Sequence, residues 1–142
     1  MPNIDEIIKL TEDLSGVPDI SEDSDIFGDI GLVGDDFDEF IEEYSEKYKV
    51  DMTEYLWYFH TDEEGAWNSI GGIFFAPPNK RVKRIPVTPR LLLNFIKIGK
   101  WDLKYPAHTI PKRRYDIIIN QLLIGAFVFW ILIWIVLKMI KE

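Results

Sequence analysis

Residues 117–137 read IIINQLLIGAFVFWILIWIVL, 21 positions without a charge. A helix of that length rises roughly 32 Å at about 1.5 Å per residue, close to the ~30 Å hydrocarbon core of a bilayer. Its Leu, Ile, Phe and Val side chains each favour insertion by a few tenths of a kcal/mol, and more than a dozen of them add up. Asn120 and Gln121 fall in the first turn, where their amides stay wet at headgroup level. Lys112, Arg113 and Arg114 stand directly before the stretch and are expected at the membrane surface. Only Lys138, Met139, Ile140, Lys141 and Glu142 follow it. Helices of a soluble core seldom stay uncharged for so long. The reading is one C-terminal transmembrane helix over 117–137 with a short tail over 138–142. The rest of the chain is its cargo.

The basic cluster before the apolar stretch predicts that the N-terminal side stays in the cytoplasm, which in a bacterium places the helix in the inner membrane. Lys138 and Lys141 oppose this weakly, because so short a tail is cheap to translocate. The opening residues, Met-Pro-Asn-Ile-Asp-Glu, show neither a basic run nor an apolar run, so no signal peptide is expected. Zero cysteines agree with a reducing compartment.

Charge is divided along the chain. Residues 1–64 hold 21 Asp and Glu against Lys9, Lys47 and Lys49. Residues 65–142 hold 13 Lys and Arg against Asp102, Asp116 and Glu142. The net charge of −8 hides this asymmetry. The acidic half would repel nucleic acid. The basic half suits either an anionic membrane surface or the acidic half of its own chain. The expected organisation is an acidic helical half over 1–64, a basic hairpin-plus-helix over 65–104 completing the same soluble domain, and a basic juxtamembrane linker over 105–116. Some 115 residues are enough for one core.

Residues 3–15 read as a helix, with Asn3 as cap and Glu6 three residues on. Ile4, Ile7, Ile8, Thr11 and Leu14 share a face, and Gly16 and Pro18 end it. Residues 17–34 are an acidic loop whose Ile20, Ile26, Phe27, Ile30 and Leu32 should plug a core. Its Asp23, Asp25 and Asp29 lack the spacing of a calcium loop. Residues 35–48 form an amphipathic helix with Phe37, Phe40, Ile41, Tyr44 and Tyr48 on one stripe and Asp36, Asp38, Glu39, Glu42, Glu43 and Glu46 largely off it. Asp35 or Asp36 is expected to cap it. Thr53 is expected to cap a short helix over Tyr55, Leu56, Trp57, Tyr58 and Phe59. His60 follows without partners at metal-ligand spacing. Gly71-Gly72, Pro77-Pro78 and the β-rich pieces 70–75 and 81–87 suggest a small β-hairpin with a basic tip. Residues 88–98 carry complete helix punctuation: Thr88, Pro89 and Gly99. Trp101 and Tyr105 suit either the membrane interface or packing beneath that helix.

From Asp29 to Tyr48 the sequence resembles acyl carrier proteins, which carry a helix, a long loop, then a D-L-G-x-D-S-L element opening an acidic second helix. Asp29-Ile30-Gly31 resembles D-L-G. After one inserted residue, Asp35-Asp36-Phe37 stands where D-S-L would be. The chain is also similar to a bacterial acyl-carrier-protein-like family of unknown function, through Gly34-Asp35-Asp36, Val50-Asp51, Tyr58-Phe59, and Pro86, Thr88, Leu92, Gly99 and Trp101. The resemblance implies a mainly α, carrier-like helical bundle and an acidic docking helix. In a carrier, the serine of that element bears phosphopantetheine. Here Asp36 occupies the phosphopantetheine-serine position, and a carboxylate cannot form that phosphodiester. No cofactor is therefore expected.

An enzyme would need a nucleophile, a base or a metal set. The chain has no cysteine, two distant histidines and no phosphate-cradling glycine loop. The expectation is a non-catalytic, membrane-anchored interaction module, with no catalytic residue and no metal. Asp35, Asp36, Asp38, Glu39, Glu42 and Glu43 would meet a basic protein partner. Two alternatives stand beside it: a membrane-tethered carrier using another serine, and a membrane-bound immunity or inhibitor protein with an acidic neutralising surface.

Overall fold

The structure, a computed structural model, describes residues 2–63 and 69–141. It is mainly helical, with five α-helices and, among the described residues, no β-strand: α1 (Ile4–Ser15), α2 (Gly34–Tyr48), α3 (Ile70–Phe74), α4 (Pro89–Ile98) and α5 (Tyr115–Lys141). Short 3-10 turns lie at Trp57–Phe59 and Pro78–Lys80. The expected boundary at 64/65 lies outside the described residues, as does Glu142.

Local signals set the helix ends. The Asn3 side chain accepts the Glu6 N–H at 2.9 Å, and Gly16 closes α1 in the left-handed region. Thr88 accepts the Leu91 N–H, Pro89 opens α4, and Gly99 closes it at φ 80°. The start of α2 departs from expectation. Val33 is its cap residue and offers no side-chain bond. The Gly34 N–H instead donates to Thr61 Oγ1 at 3.1 Å, from a residue far along the chain. Asp35 and Asp36 lie in the first turn, beside the positive end of the helix dipole. Thr53 caps no helix either: its N–H and hydroxyl both donate to Asp51 Oδ1, and only the 3-10 turn forms beyond it.

The core draws on both halves of the chain. Ile7 and Leu10 of α1, Ile26 and Leu32 of the loop, Phe37, Phe40, Ile41 and Tyr44 of α2, and Leu92 and Phe95 of α4 close around Trp101. Trp101 is fully buried, so it belongs beneath α4 and not at a membrane interface. Its ring lies 4.5 Å from that of Phe95 and 4.9 Å from that of Tyr55. Tyr44 Oη donates to the Leu92 carbonyl at 2.8 Å, tying α2 to α4. One parallel bridge, Asp51 with Lys100, joins the two exits: Asp51 N–H donates to Gly99 O, and Trp101 N–H to Asp51 O.

The expected β-hairpin is absent among the described residues. Its first piece is α3, and its second forms no strand. Ile85 N–H donates to Phe59 O, and Val87 O accepts from Ile26 N–H, so two separate segments pin what a single strand would have paired. Pro77 and Pro78 between the pieces cannot donate to a ladder. The first piece packs on α5 instead, where a Cβ on Gly71 would collide with the Asp116 carbonyl.

Helix α5 runs 27 residues, beginning two residues before the expected stretch, and is long and apolar enough to cross a membrane. None of its most apolar window is buried. A helix of a soluble core would bury those side chains; this one leaves them open along its length.

Candidate functional site

The six acids singled out on α2 are all exposed. At 3.6 residues per turn they occupy an arc of roughly 160°, opposite the buried stripe of Phe37, Phe40, Ile41 and Tyr44. Within that arc they divide. Asp35 and Asp38 line a cleft of about 370 Å³ at the start of the helix, together with Gly34, Trp57, Asp62, Glu63 and Arg114. Asp36, Glu39, Glu42 and Glu43 do not line it and lie on the open helix face.

The walls of the cleft differ in how their charge is balanced. Arg114 donates to Glu63 Oε2 at 2.6 Å and, from two nitrogens, to Asp116. That paired arrangement raises the Arg114 pKa further above its already high value, the Asp116 hydrogen bond first. Asp62 accepts the Asn79 amide at 2.7 Å and lies 3.6 Å from Lys80. Asp35 and Asp38 form no ion pair with a described residue. Desolvation, and then the charge of Asp35, hold the Asp38 pKa above the ordinary aspartate value. The cleft therefore presents two acids without an ion-pair partner among the described residues, against a wall whose cation, Arg114, is already taken by two carboxylates.

The acidic loop is not in that state. Asp25 pairs with Arg84 at 2.6 Å, and Arg84 also lies over the Phe27 ring. Arg90 reaches both Glu22 and Asp23, and its hydrogen bond lowers the Asp23 pKa. Thus the basic half clamps the acidic half through Arg84, Arg90 and Arg114, while the α2 acids make no such pair with any described residue. Of the three residues expected at the membrane surface, Lys112 and Arg113 are exposed, and Arg114 is turned into the cleft.

Asp36 lies exposed in the first turn of α2. The serines are engaged elsewhere. Ser45 Oγ donates to Glu42 O within α2, and Ser24 Oγ bonds Ser21 in the loop. His60 is buried, with Nδ1 against Ile85 O and Nε2 against Tyr105 Oη, each at 2.9 Å. A carbonyl can only accept, so Nδ1 carries the proton and the tyrosine hydroxyl donates to Nε2. That makes His60 a structural joint with both ring nitrogens occupied.

Sequence reasoning missed Trp57, Asp62 and Glu63 as cleft residues, and Arg114 as the partner of Glu63. The available signal was Asp116: an acid two residues after an arginine, at the mouth of an apolar stretch, needs a cation at hand. No family model, curated protein or solved structure matches the chain.

Proposed function

We propose that the chain is a non-catalytic, membrane-anchored interaction module whose degenerate acyl-carrier-like domain is held at the cytoplasmic face of a bacterial inner membrane. The observation that carries this reading is the uneven pairing of charge. The loop acids Glu22, Asp23 and Asp25 are spent on Arg90 and Arg84, whereas Asp35, Asp36, Asp38, Glu39, Glu42 and Glu43 form no ion pair with a described residue. A basic protein partner would supply the missing cations along α2, with one lysine or arginine entering the cleft between Asp35 and Asp38. Complementary charge of this kind governs association rate and orientation more than affinity. Exposed Lys112 and Arg113, directly before α5, support the cytoplasmic orientation.

The test is a pull-down of the full chain from detergent-solubilised membranes, with mass spectrometry of what it retains. Retention of a basic protein should fall as salt rises, since charges beyond about 10 Å are screened at 0.1 M. Reversing Asp38, Glu39, Glu42 and Glu43 to lysine should weaken it at least tenfold. Binding that survives both salt and reversal would move the docking face elsewhere.

A further inference from the structure

The short helix α3 leaves its large apolar side chains open. Ile73 is 75% exposed, Phe74 72% and Ile70 54%. These are among the largest apolar exposures outside α5, and they adjoin it. The Gly71 N–H donates to Asn120 Oδ1 at 2.8 Å, and the Phe75 ring lies 5.6 Å from that of Tyr115. Missing a side chain, Gly71 lets α3 rest against the backbone at Asp116. Asn120 stands four residues beyond Asp116, the last acid before the apolar run. Touching both, the α3 N-terminus lies level with the first turn of α5, between Asp116 and Asn120.

We infer that α3 is a second membrane element, a wedge lying in the headgroup–acyl boundary of the leaflet that α5 enters from the soluble domain. This rests on the reading of α5 as a membrane anchor. Three observations commit the patch to lipid. It packs on the first turns of α5, where Ile117 and Ile118 are exposed as well. Exposed Arg113 lines a small cleft with Phe75 and Ala76 just past α3, and exposed Lys112 precedes it in the chain, cations suited to anionic headgroups. Two of the amides that a short helix leaves open are also cared for, Gly71 N–H by Asn120 and Gly72 N–H by Ser69 Oγ at 3.0 Å, and Ile73 N–H makes the first backbone bond of the helix to the Ser69 carbonyl. Non-helical ends are tolerated at membrane depth only when such groups are satisfied within the protein. Asn120 thereby acquires a role: it is a polar residue in an apolar helix because it caps its neighbour.

The chain has no cysteine, so single labels can be placed without background. The full chain carrying Phe74→Cys, Ile73→Cys, Phe129→Cys or Glu54→Cys would be labelled with nitrobenzoxadiazole and reconstituted into phosphatidylcholine–phosphatidylglycerol vesicles. Lipids with shallow or deep doxyl quenchers then report depth. The labels at 73 and 74 should be blue-shifted and lose at least half their emission to the shallow quencher, and less to the deep one. The label at 129 should respond most to the deep quencher, and the label at 54 to neither. Aqueous emission at both 73 and 74 with normal quenching at 129 overturns the wedge and leaves the anchor standing. Blue-shifted emission at 73 and 74 that lipid quenchers do not reach overturns it in favour of a protein covering. Loss of quenching at 129 removes the anchor, and the wedge with it.

Discussion

At Tyr105 one hydroxyl serves three partners. It accepts from Trp101 Nε1 at 2.8 Å and Leu56 N–H at 3.1 Å, and it donates to His60 Nε2. Tyr105→Phe removes the oxygen and leaves two donors and one acceptor without a partner inside the protein. An unsatisfied buried polar group costs about 1–3 kcal/mol. The expected loss is at least 2 kcal/mol, read as a lower urea midpoint for the full chain in detergent. The same joint sets a pH dependence. Burial lowers the His60 pKa to about 4 from an unfolded value of 6.5. Between those values the unfolded chain binds the proton and the folded chain does not. Stability therefore falls as pH drops from 6.5 towards 4, by up to on the order of 3 kcal/mol from this residue. Urea midpoints at pH 7 and pH 5 should show the drop, and His60→Gln should flatten it. A lone histidine after an aromatic run gave no hint of this in the sequence, because its partners come from 25 and 45 residues away.

Elements were legible where their ends carry local chemistry. Asn3, Gly16, Thr88, Pro89 and Gly99 act within their own turns, and α1 and α4 stand as those residues dictate. The buried stripe of α2 follows from spacing alone, but its start does not, because Thr61 is brought to Gly34 only by the fold. The segment 70–75 was misread for the same reason. Ile and Phe favour a strand in isolation and paired glycines disfavour a helix, yet burial and neighbours override so weak a preference. Here the deciding neighbour is α5: Gly71 admits its backbone, and Asn120 supplies the cap. Gly71→Val should therefore push α3 away from α5. Hydrogen exchange measured by mass spectrometry would show the α3 segment losing protection, with α2 unchanged. On α4, Thr88→Ala removes the bond to Leu91 N–H and should cost about 1 kcal/mol, seen as a lower urea midpoint.

For the molecule as a whole, the charge asymmetry of the sequence resolves into two different uses. Part of the basic half is a clamp on the acidic loop, through Asp25, Glu22 and Asp23, whereas the acids of α2 form no ion pair with a described residue. A long uncovered apolar helix then fixes how that surface is presented. The carrier resemblance bears on whether anything travels on it. Asp36 offers a carboxylate where the resemblance would need a hydroxyl. The serines are committed to local roles: Ser15 Oγ accepts from Val17 N–H, Ser21 and Ser24 bond each other, Ser45 bonds its own helix, and Ser69 caps α3. None lies at the start of α2, where the resemblance would put the attachment point. Coexpressed with a phosphopantetheinyl transferase, the full chain should keep its unmodified intact mass. A gain of one phosphopantetheine would show that a serine elsewhere carries the arm, and it would turn the acidic face of α2 from a docking surface for a silent scaffold into one for a working shuttle.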